Sequence, residues 1–436
     1  MNIRRTGVIG LTAIALGLAG CAGTGTAPSD NGGANSGADE NGVTTIEFWS
    51  NHPGSSKALE EEMIAAFEAE NPDIKVKLTD AGKNYEEVAQ KFNAALSGGQ
   101  VPDLVVASDV TWFNFALNDQ LAPLDDLLEE AGAEPSDYVP NLYDEYVLDG
   151  QHFAVPYARS TPLFYYNKDM WQAAGLPDRG PKTWEEWNDD FAPKLAEAHP
   201  NVTPLVIPDG SVYMDWYFQG MIWSMGGAYS KDLTMTMSSP ESVKAGEFLQ
   251  SQFDQGYFKA VKEATAPFVS GQGVAMLEST GSLGGVTEDG KVNVGTAFLP
   301  SPEGVLGTPT GGAGVGISAK SENKEAAAKF LAFLTNTDNT VMFSQSTGYM
   351  PVRTSAKETP EAQAYFEENP NFKTAVDQLE FTQKQDAGRV YVAGGGMRIG
   401  AALDKIAQGA DVAETFKQID EEQQAIIDSD IKPKLN

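Results

Sequence analysis

The side chains from which catalytic or metal chemistry could be built are three histidines, one cysteine and 61 carboxylates. His52, His152 and His199 have no cysteine or second histidine at metal-ligand spacing. No G-x-S-x-G nucleophile elbow, no phosphate-binding P-loop and no H-E-x-x-H motif occurs. The carboxylates could supply a glycosidase pair, but no two of them are distinguished by their setting. The sequence therefore predicts no catalytic residues, no metal site and no cofactor.

Composition narrows the class of partner. The chain has 436 residues, of which 41% are apolar, and 30 basic residues against 61 acidic ones give a formal charge of −31. The length suggests two or three domains, and the apolar fraction is sufficient for a buried core. Nucleic acids and anionic membrane surfaces both require a basic face, so the charge argues against either as a partner.

The amino terminus predicts export. Residues 1–20 have a basic start and a short apolar run, Val8–Leu18, which is typical of a secretory signal peptide and too short to span a bilayer. The run ends in LAGC, which resembles the bacterial lipobox and predicts lipidation of Cys21. Residues 21–43 then form a flexible tether rich in small polar residues. We therefore expect a protein anchored to the outer face of the cell membrane by its lipidated cysteine.

The first half of the globular part alternates strands and helices. Thr44–Trp49, Ile74–Leu78 and Leu104–Ala107 have strand patterns, and a helical pattern lies in each interval, the second at Tyr85–Ser97. This order predicts a parallel sheet covered by helices. Ligands of such sheets bind at the carboxyl ends of the strands, so Asp109, just past the third strand, is placed to face a ligand.

Further along, the pattern remains α/β. Extended segments flank a short run of small and polar residues near Ala158, and a glycine-rich strand follows Thr310. Strand patterns lie at Phe153–Tyr157, Pro162–Tyr166, Gly271–Leu277, Val292–Phe298 and Gly311–Ser318, and helical patterns at Trp184–Leu195, Pro240–Gln255, Lys324–Leu334 and Gly400–Asp428.

Several motifs carry a family resemblance. PYARSTPLFYYNKDMW (156–171) and FVSGQGVAML (268–277) resemble the maltose-binding-like branch, family 1, of the extracellular solute-binding proteins of ABC importers. STPLFYYNKD, KTWEEW, STGSLGG, TGGAG and TGYMPVR are similar to the members that bind glycerol 3-phosphate, and most similar to the actinobacterial form that takes glycerophosphocholine.

This resemblance implies a two-lobed periplasmic-binding-protein fold of type II, in which hinge crossovers join two α/β lobes that close on the ligand. The crossovers are expected near Ala158, near Thr310 and after Met350. The implied lobes comprise residues 44–157 with 310–352, and residues 158–309 with 353–436.

The resemblance also implies site residues. Arg398, in GGGMRIG, matches the phosphate-binding arginine of the family, and a guanidinium offers a planar fork to phosphate oxygens. Asp109 stands where the enterobacterial proteins have glutamate; its charge could face a trimethylammonium group, which favours glycerophosphocholine over glycerol 3-phosphate. Tyr213 and Trp216 match an aromatic wall. The other implied contacts are the hydroxyls of Tyr85, Ser160, Ser282 and Tyr349 and the backbone N–H of Gly312.

Two alternatives stay open at this point. A carbohydrate-binding protein of the same fold would use stacked aromatic rings and would not need Arg398. An exported hydrolase would cleave the phosphodiester instead of releasing it. The resemblance favours neither, and it implies a monomer whose partners are a small-molecule ligand and the membrane subunits of an ABC permease.

Overall fold

The computed structural model describes residues 42–287 and 290–435. The predicted signal peptide, Cys21 and almost all of the predicted tether lie outside the described residues. Within the described part, every helix is too short or too polar to cross a membrane.

Two five-stranded sheets organise the described residues. Their strands are β1 (Thr44–Ser50), β2 (Ile74–Asp80), β3 (Leu104–Ser108), β4 (Val155–Ser160), β5 (Pro162–Asn167), β6 (Thr203–Pro208), β7 (Phe258–Val261), β8 (Gly273–Ser279), β9 (Val294–Ala297) and β10 (Gly311–Ile317). The longer helices are α1 (Lys57–Glu70), α2 (Tyr85–Gly98), α3 (Met214–Ser224), α4 (Pro240–Asp254), α5 (Lys324–Leu334), α6 (Thr337–Thr347), α7 (Pro360–Glu368), α8 (Pro370–Asp377), α9 (Gly395–Ala407) and α10 (Val412–Ile426).

The first sheet has the order β2-β1-β3-β10-β4. Strands β1, β2 and β3 run parallel, which confirms the predicted β-α-β-α-β unit, and β10 returns antiparallel between β3 and β4. Helices α1 and α5 cover one face, where the rings of Phe67 and Phe330 meet edge to face at 5.1 Å. Helix α2 begins at Asn84, whose side chain accepts a hydrogen bond from the Glu87 backbone N–H at 2.9 Å.

The second sheet has the order β7-β6-β8-β5-β9. Strands β7, β6 and β8 are parallel, whereas β5 is antiparallel to both of its neighbours. Its core contains fully buried tryptophans, among them Trp171 and Trp187, which pack around Phe164. The molecule is thus an α/β protein of two lobes, each built on one sheet, as the resemblance implied.

Three chain segments pass between the sheets. The first is Thr161, between β4 and β5; the second leads from β9 through Thr310 into β10; the third follows Met350, whose backbone N–H bonds the carbonyl of Arg159 at 2.8 Å. Because β4 continues to Ser160, the predicted boundary between residues 157 and 158 falls inside a strand. The predicted lobe ranges otherwise stay a prediction.

A buried ion pair braces the first two crossings. The guanidinium of Arg159 contacts the carboxylate of Glu145 and donates to the Tyr146 hydroxyl at 2.8 Å. The same carboxylate accepts a hydrogen bond from the Thr310 hydroxyl. Burial raises the pKa of Glu145, and the attraction of Arg159 opposes that shift. The two strands that join the lobes are therefore held together side by side.

The carboxyl-terminal tail differs from the single helical stretch predicted for Gly400–Asp428. The structure has two helices there, α9 and α10. Gly409 adopts a φ of +91° at the break, and the Asp411 side chain caps α10 by accepting from the Glu414 backbone N–H at 2.8 Å. The glycine and the capping aspartate are the local signals that separate the two helices.

The loop after β1 contains a pair that should make stability depend on pH. His52 Nδ1 lies 2.5 Å from an oxygen of the fully buried Glu60, which also accepts from the Ser50 hydroxyl at 2.7 Å. The hydrogen bond to Glu60 raises the pKa of His52 above its ordinary 6.5, against the opposing effect of burial. A raised folded-state pKa stabilises the fold fully below the unfolded value, and this stabilisation is lost as the pH rises through the folded value.

We expect the wild-type protein to lose unfolding free energy between about pH 5.5 and about pH 8.5 relative to the His52→Gln variant. Urea unfolding of both proteins at the two pH values measures the difference. An identical pH dependence in the two proteins would contradict the expectation.

Candidate ligand-binding site

A cavity of about 210 Å³ lies between the lobes, at the carboxyl ends of β3, β4, β6 and β8. This is the position that the strand order predicted for a ligand. Seven of the nine predicted binding residues line it: Tyr85, Asp109, Ser160, Tyr213, Trp216, Gly312 and Tyr349. Sequence reasoning missed the other polar residues of the wall: Glu86, Tyr217, Glu278, Ser279 and Arg389.

Arg389 is the basic residue of the described cavity wall. It lies in a short helix, Ala387–Val390, and its side chain is only 2% exposed. Its Nε donates to Asp215 Oδ2 at 2.7 Å, and its Nη1 lies 3.3 Å from Asp109 Oδ2 and donates to the side chain of Gln385. Asp109 belongs to the first lobe and Asp215 to the second, so the guanidinium connects the two lobes.

Two polar groups in the cavity keep unused hydrogen-bonding capacity. Nη2 of Arg389 donates no hydrogen bond to the described residues, and the Ser160 hydroxyl, in a residue only 3% exposed, likewise has none to them. A guanidinium nitrogen and a hydroxyl from two residues that line one cavity are suitable donors to a phosphate oxygen.

Arg398, the predicted phosphate-binding residue, lies outside this cavity. It is on the first turn of α9, where Nη1 donates to the Ala393 carbonyl at 2.7 Å and Nε lies 2.9 Å from Glu422. The glycines beside it do allow a close approach, but the group that approaches is a carboxylate of the protein. A Cβ on Gly396 would lie 2.6 Å from Asp215 Oδ2.

Asp109 follows β3 directly, and its backbone N–H bonds the Gly312 carbonyl at 3.0 Å. Its side chain is 13% exposed, and one carboxylate oxygen accepts from Gln385 Nε2 at 2.5 Å as well as facing Arg389. Asp109 therefore lies where it was predicted, at the carboxyl end of β3 and facing the cavity. The arginine that lies across from it was not among the predicted site residues.

The aromatic wall is formed at the start of α3. Tyr213 precedes the helix with a φ of +69°, in the left-handed region that a tyrosine rarely adopts, and it is 38% exposed. Its hydroxyl lies 3.5 Å from both carboxylate oxygens of Glu86. Trp216 is fixed more firmly, because its indole N–H donates to the Thr310 carbonyl at 2.9 Å.

Two further carboxylates give the cavity an acidic character. Glu278 accepts from the Tyr217 hydroxyl at 2.9 Å and from the Ser279 backbone N–H at 2.8 Å. Burial raises the pKa of Glu278 and of Glu86. With Asp109, three acidic side chains and one arginine line this part of the described structure.

The remaining predicted residues occupy the rim. The hydroxyls of Tyr85 and Tyr349 lie 3.4 Å apart. Ser282 lines a neighbouring cavity of about 490 Å³, which both tyrosines share. Gly312 has a φ of +96°, and a Cβ there would lie 2.0 Å from the Ala158 carbonyl oxygen.

An aromatic contact joins the lobes beside the arginine. Tyr391 is two residues beyond Arg389, and its ring stacks on Phe113 of the first lobe at 3.7 Å with an interplanar angle of 7°. Asn114 Nδ2 donates to the Tyr391 carbonyl at 3.3 Å. The segment 389–391 of the second lobe therefore lines the cavity with Arg389 and contacts the first lobe with Tyr391.

Comparison with known proteins identifies the family of this chain. Residues 62–374 match the family described as bacterial extracellular solute-binding protein. The sn-glycerol-3-phosphate-binding periplasmic protein UgpB of Escherichia coli K12 is 30% identical over 355 residues, which cover 77% of this chain and 81% of that protein.

Among solved structures, UgpB from Mycobacterium tuberculosis in complex with glycerophosphocholine is 45% identical, with a TM-score of 0.85 over 89% of this chain and 100% of that one. The GacH receptor of Streptomyces glaucescens superposes with a TM-score of 0.75 at 23% identity, covering 89% and 99% of the two chains, and shows the shared fold. The chain therefore belongs to the extracellular solute-binding proteins of ABC importers, and within them to the UgpB-like group.

Proposed function

We propose that this protein captures glycerophosphocholine outside the cytoplasm and delivers it to an ABC permease. The observation that carries the proposal is the pairing, in one cavity, of an acidic, aromatic wall with a buried arginine whose Nη2 donates to none of the described residues. Glycerophosphocholine is a zwitterion with the matching charges. The 45%-identical relative, which was crystallised with this compound, supports the assignment.

The cavity has groups complementary to each end of glycerophosphocholine. The phosphodiester would bind Arg389 Nη2 and the Ser160 hydroxyl. The trimethylammonium group would lie against Tyr213 and Trp216, with Glu86 as the nearby countercharge; a quaternary ammonium over such rings gains about 0.5–2 kcal/mol. The glycerol hydroxyls would then reach the Tyr85–Tyr349 pair and Asp109.

Glycerol 3-phosphate is the second candidate ligand, since it shares the glycerol and phosphate groups and is named as the ligand of the 30%-identical relatives. A neutral oligosaccharide fits less well. A sugar brings no anionic group to Nη2 of Arg389, and the sugar-binding neighbours, at 21–22% identity, share only the fold.

Isothermal titration calorimetry with glycerophosphocholine, glycerol 3-phosphate, maltose and trehalose tests the proposal. We expect glycerophosphocholine to bind most tightly and both sugars to give no heat of binding. Sugar binding without phosphodiester binding would overturn the assignment. Release of choline or glycerol 3-phosphate during incubation would show hydrolysis, in contradiction to the proposal that the ligand leaves unaltered.

We also propose that the mature protein is held at the membrane by a lipid on Cys21, because the LAGC motif follows the apolar run of the predicted signal peptide. Labelling of cells with radioactive palmitate should mark the wild-type protein and not the Cys21→Ser variant, which should appear in the medium. Equal labelling of the two proteins would contradict lipidation at this cysteine.

A further inference from the structure

The buried environment of Arg389 suggests how the site distinguishes its ligands, and this inference rests on the proposed function. Asp215 is 3% exposed and lies in the first turn of α3. Its carboxylate is 2.7 Å from Arg389 Nε, whereas Asp109 contacts Nη1 of the same guanidinium. Two carboxylates, Asp109 and Asp215, thus bracket one guanidinium before any ligand enters.

The net charge around Arg389 decides which anionic ligands it can bind. One guanidinium between two carboxylates carries a local net charge of −1, and Glu86 and Glu278 add acidic side chains to the same wall. A phosphodiester brings one negative charge, and in glycerophosphocholine a trimethylammonium group compensates it. A phosphomonoester brings about −1.5 to −2 charges at pH 7 with no compensation.

The packing around Asp215 holds its carboxylate beside Arg389. Gly396 leaves the space that Asp215 Oδ2 fills, since a Cβ at that position would lie 2.6 Å from the oxygen. The Asp215 backbone carbonyl accepts from the Tyr229 hydroxyl at 2.6 Å, which fixes the start of the helix. Asp215 does not line the 210 Å³ cavity, so it acts on the ligand through Arg389.

We propose that Asp215 is a specificity-determining, positioning residue: it orients Arg389 and offsets its charge, so that the site accepts a phosphodiester and discriminates against a phosphomonoester. The measured quantity is the ratio of the dissociation constant of glycerol 3-phosphate to that of glycerophosphocholine, each from calorimetry on the same full-length protein. This ratio is insensitive to a general loss of folded protein, because such a loss lowers the apparent affinity for both ligands by the same factor.

We expect Asp215→Asn to lower this ratio at least tenfold, because the amide oxygen can still accept from Nε while the charge is gone. Asp109→Asn removes the other carboxylate and should shift the ratio in the same direction. Asp103→Asn is the matched control. Asp103 is a buried carboxylate at the opposite end of β3 from Asp109, and its substitution should leave the ratio within twofold.

An unchanged or increased ratio in folded Asp215→Asn would overturn the proposal. If that variant does not fold, Asp215→Ser, which is smaller and neutral, provides the same test. Failure of the proposed function is distinguishable, because the wild-type protein would then bind neither phosphorylated compound.

Discussion

Replacement of Arg389 by alanine is expected to weaken glycerophosphocholine binding at least a hundredfold, about 2.7 kcal/mol. The substitution removes the basic group of the described cavity wall and leaves Asp215 buried without its charged partner. An unpartnered buried carboxylate is costly, so the unliganded protein should also melt at a lower temperature. Calorimetric titration and a thermal melt of the unliganded protein measure the two effects.

Arg398→Ala is the matched control, since it removes the same side chain from a partly exposed ion pair with Glu422. It should change neither the affinity nor the melting temperature appreciably, because exposed pairs contribute about 0–1 kcal/mol. Arg389→Lys keeps a positive charge beside Asp215 but not the planar fork, and should still lose at least tenfold in affinity. Greater loss in Arg398→Ala than in Arg389→Ala would return the phosphate site to the position first predicted from GGGMRIG.

The second large effect is expected at the crossing strand. Gly312→Ala would place a methyl group 2.0 Å from the Ala158 carbonyl oxygen, at a backbone φ of +96°. Strain in the left-handed region costs about 1–3 kcal/mol and forced overpacking a further 1–3 kcal/mol, so we expect about 4 kcal/mol of lost stability. Urea unfolding of the unliganded variant measures this loss.

Gly409→Ala separates the two contributions. Gly409 has a similar φ of +91°, but no atom lies within 4 Å of its added Cβ. This variant should lose only the backbone contribution, about 1 kcal/mol. If Gly312→Ala were no more destabilised than Gly409→Ala, the close contact with the neighbouring strand would have no energetic consequence, and the need for glycine there would be backbone conformation alone.

Apolar periodicity and capping residues were sufficient to predict those strands and helices that depend on interactions close in sequence. The alternation of apolar residues placed β1, β2 and β3, and the parallel order of these strands then placed Asp109 at the edge where ligands bind. Helix α5 begins and ends where its pattern predicted, at Lys324 and Leu334. The break at Gly409 could also have been found, because a glycine followed closely by a capping aspartate is a signal of helix termination and restart.

The arginine that we propose for phosphate binding could not be chosen in the same way. Arg389 is distinguished from Arg398 by its contacts, and those contacts are with Asp215 and Asp109, 174 and 280 residues away in sequence. One local signal was present: Arg389 is the lone charge in the run AGRVYV, residues 387–392, and an isolated charge among small and apolar residues indicates burial with a partner. The three glycines beside Arg398 drew attention to an arginine that does not line the 210 Å³ cavity, and in the structure these glycines accommodate protein atoms.

The stacking of Tyr391 on Phe113 has a mechanical consequence. Arg389 and Tyr391 are separated by one residue and lie in the same lobe as Asp215, so a movement that separates the two rings also draws the guanidinium away from Asp109 of the first lobe. Separation of the lobes at this aromatic contact and loss of one of the two carboxylates that hold the guanidinium are therefore coupled through one short segment.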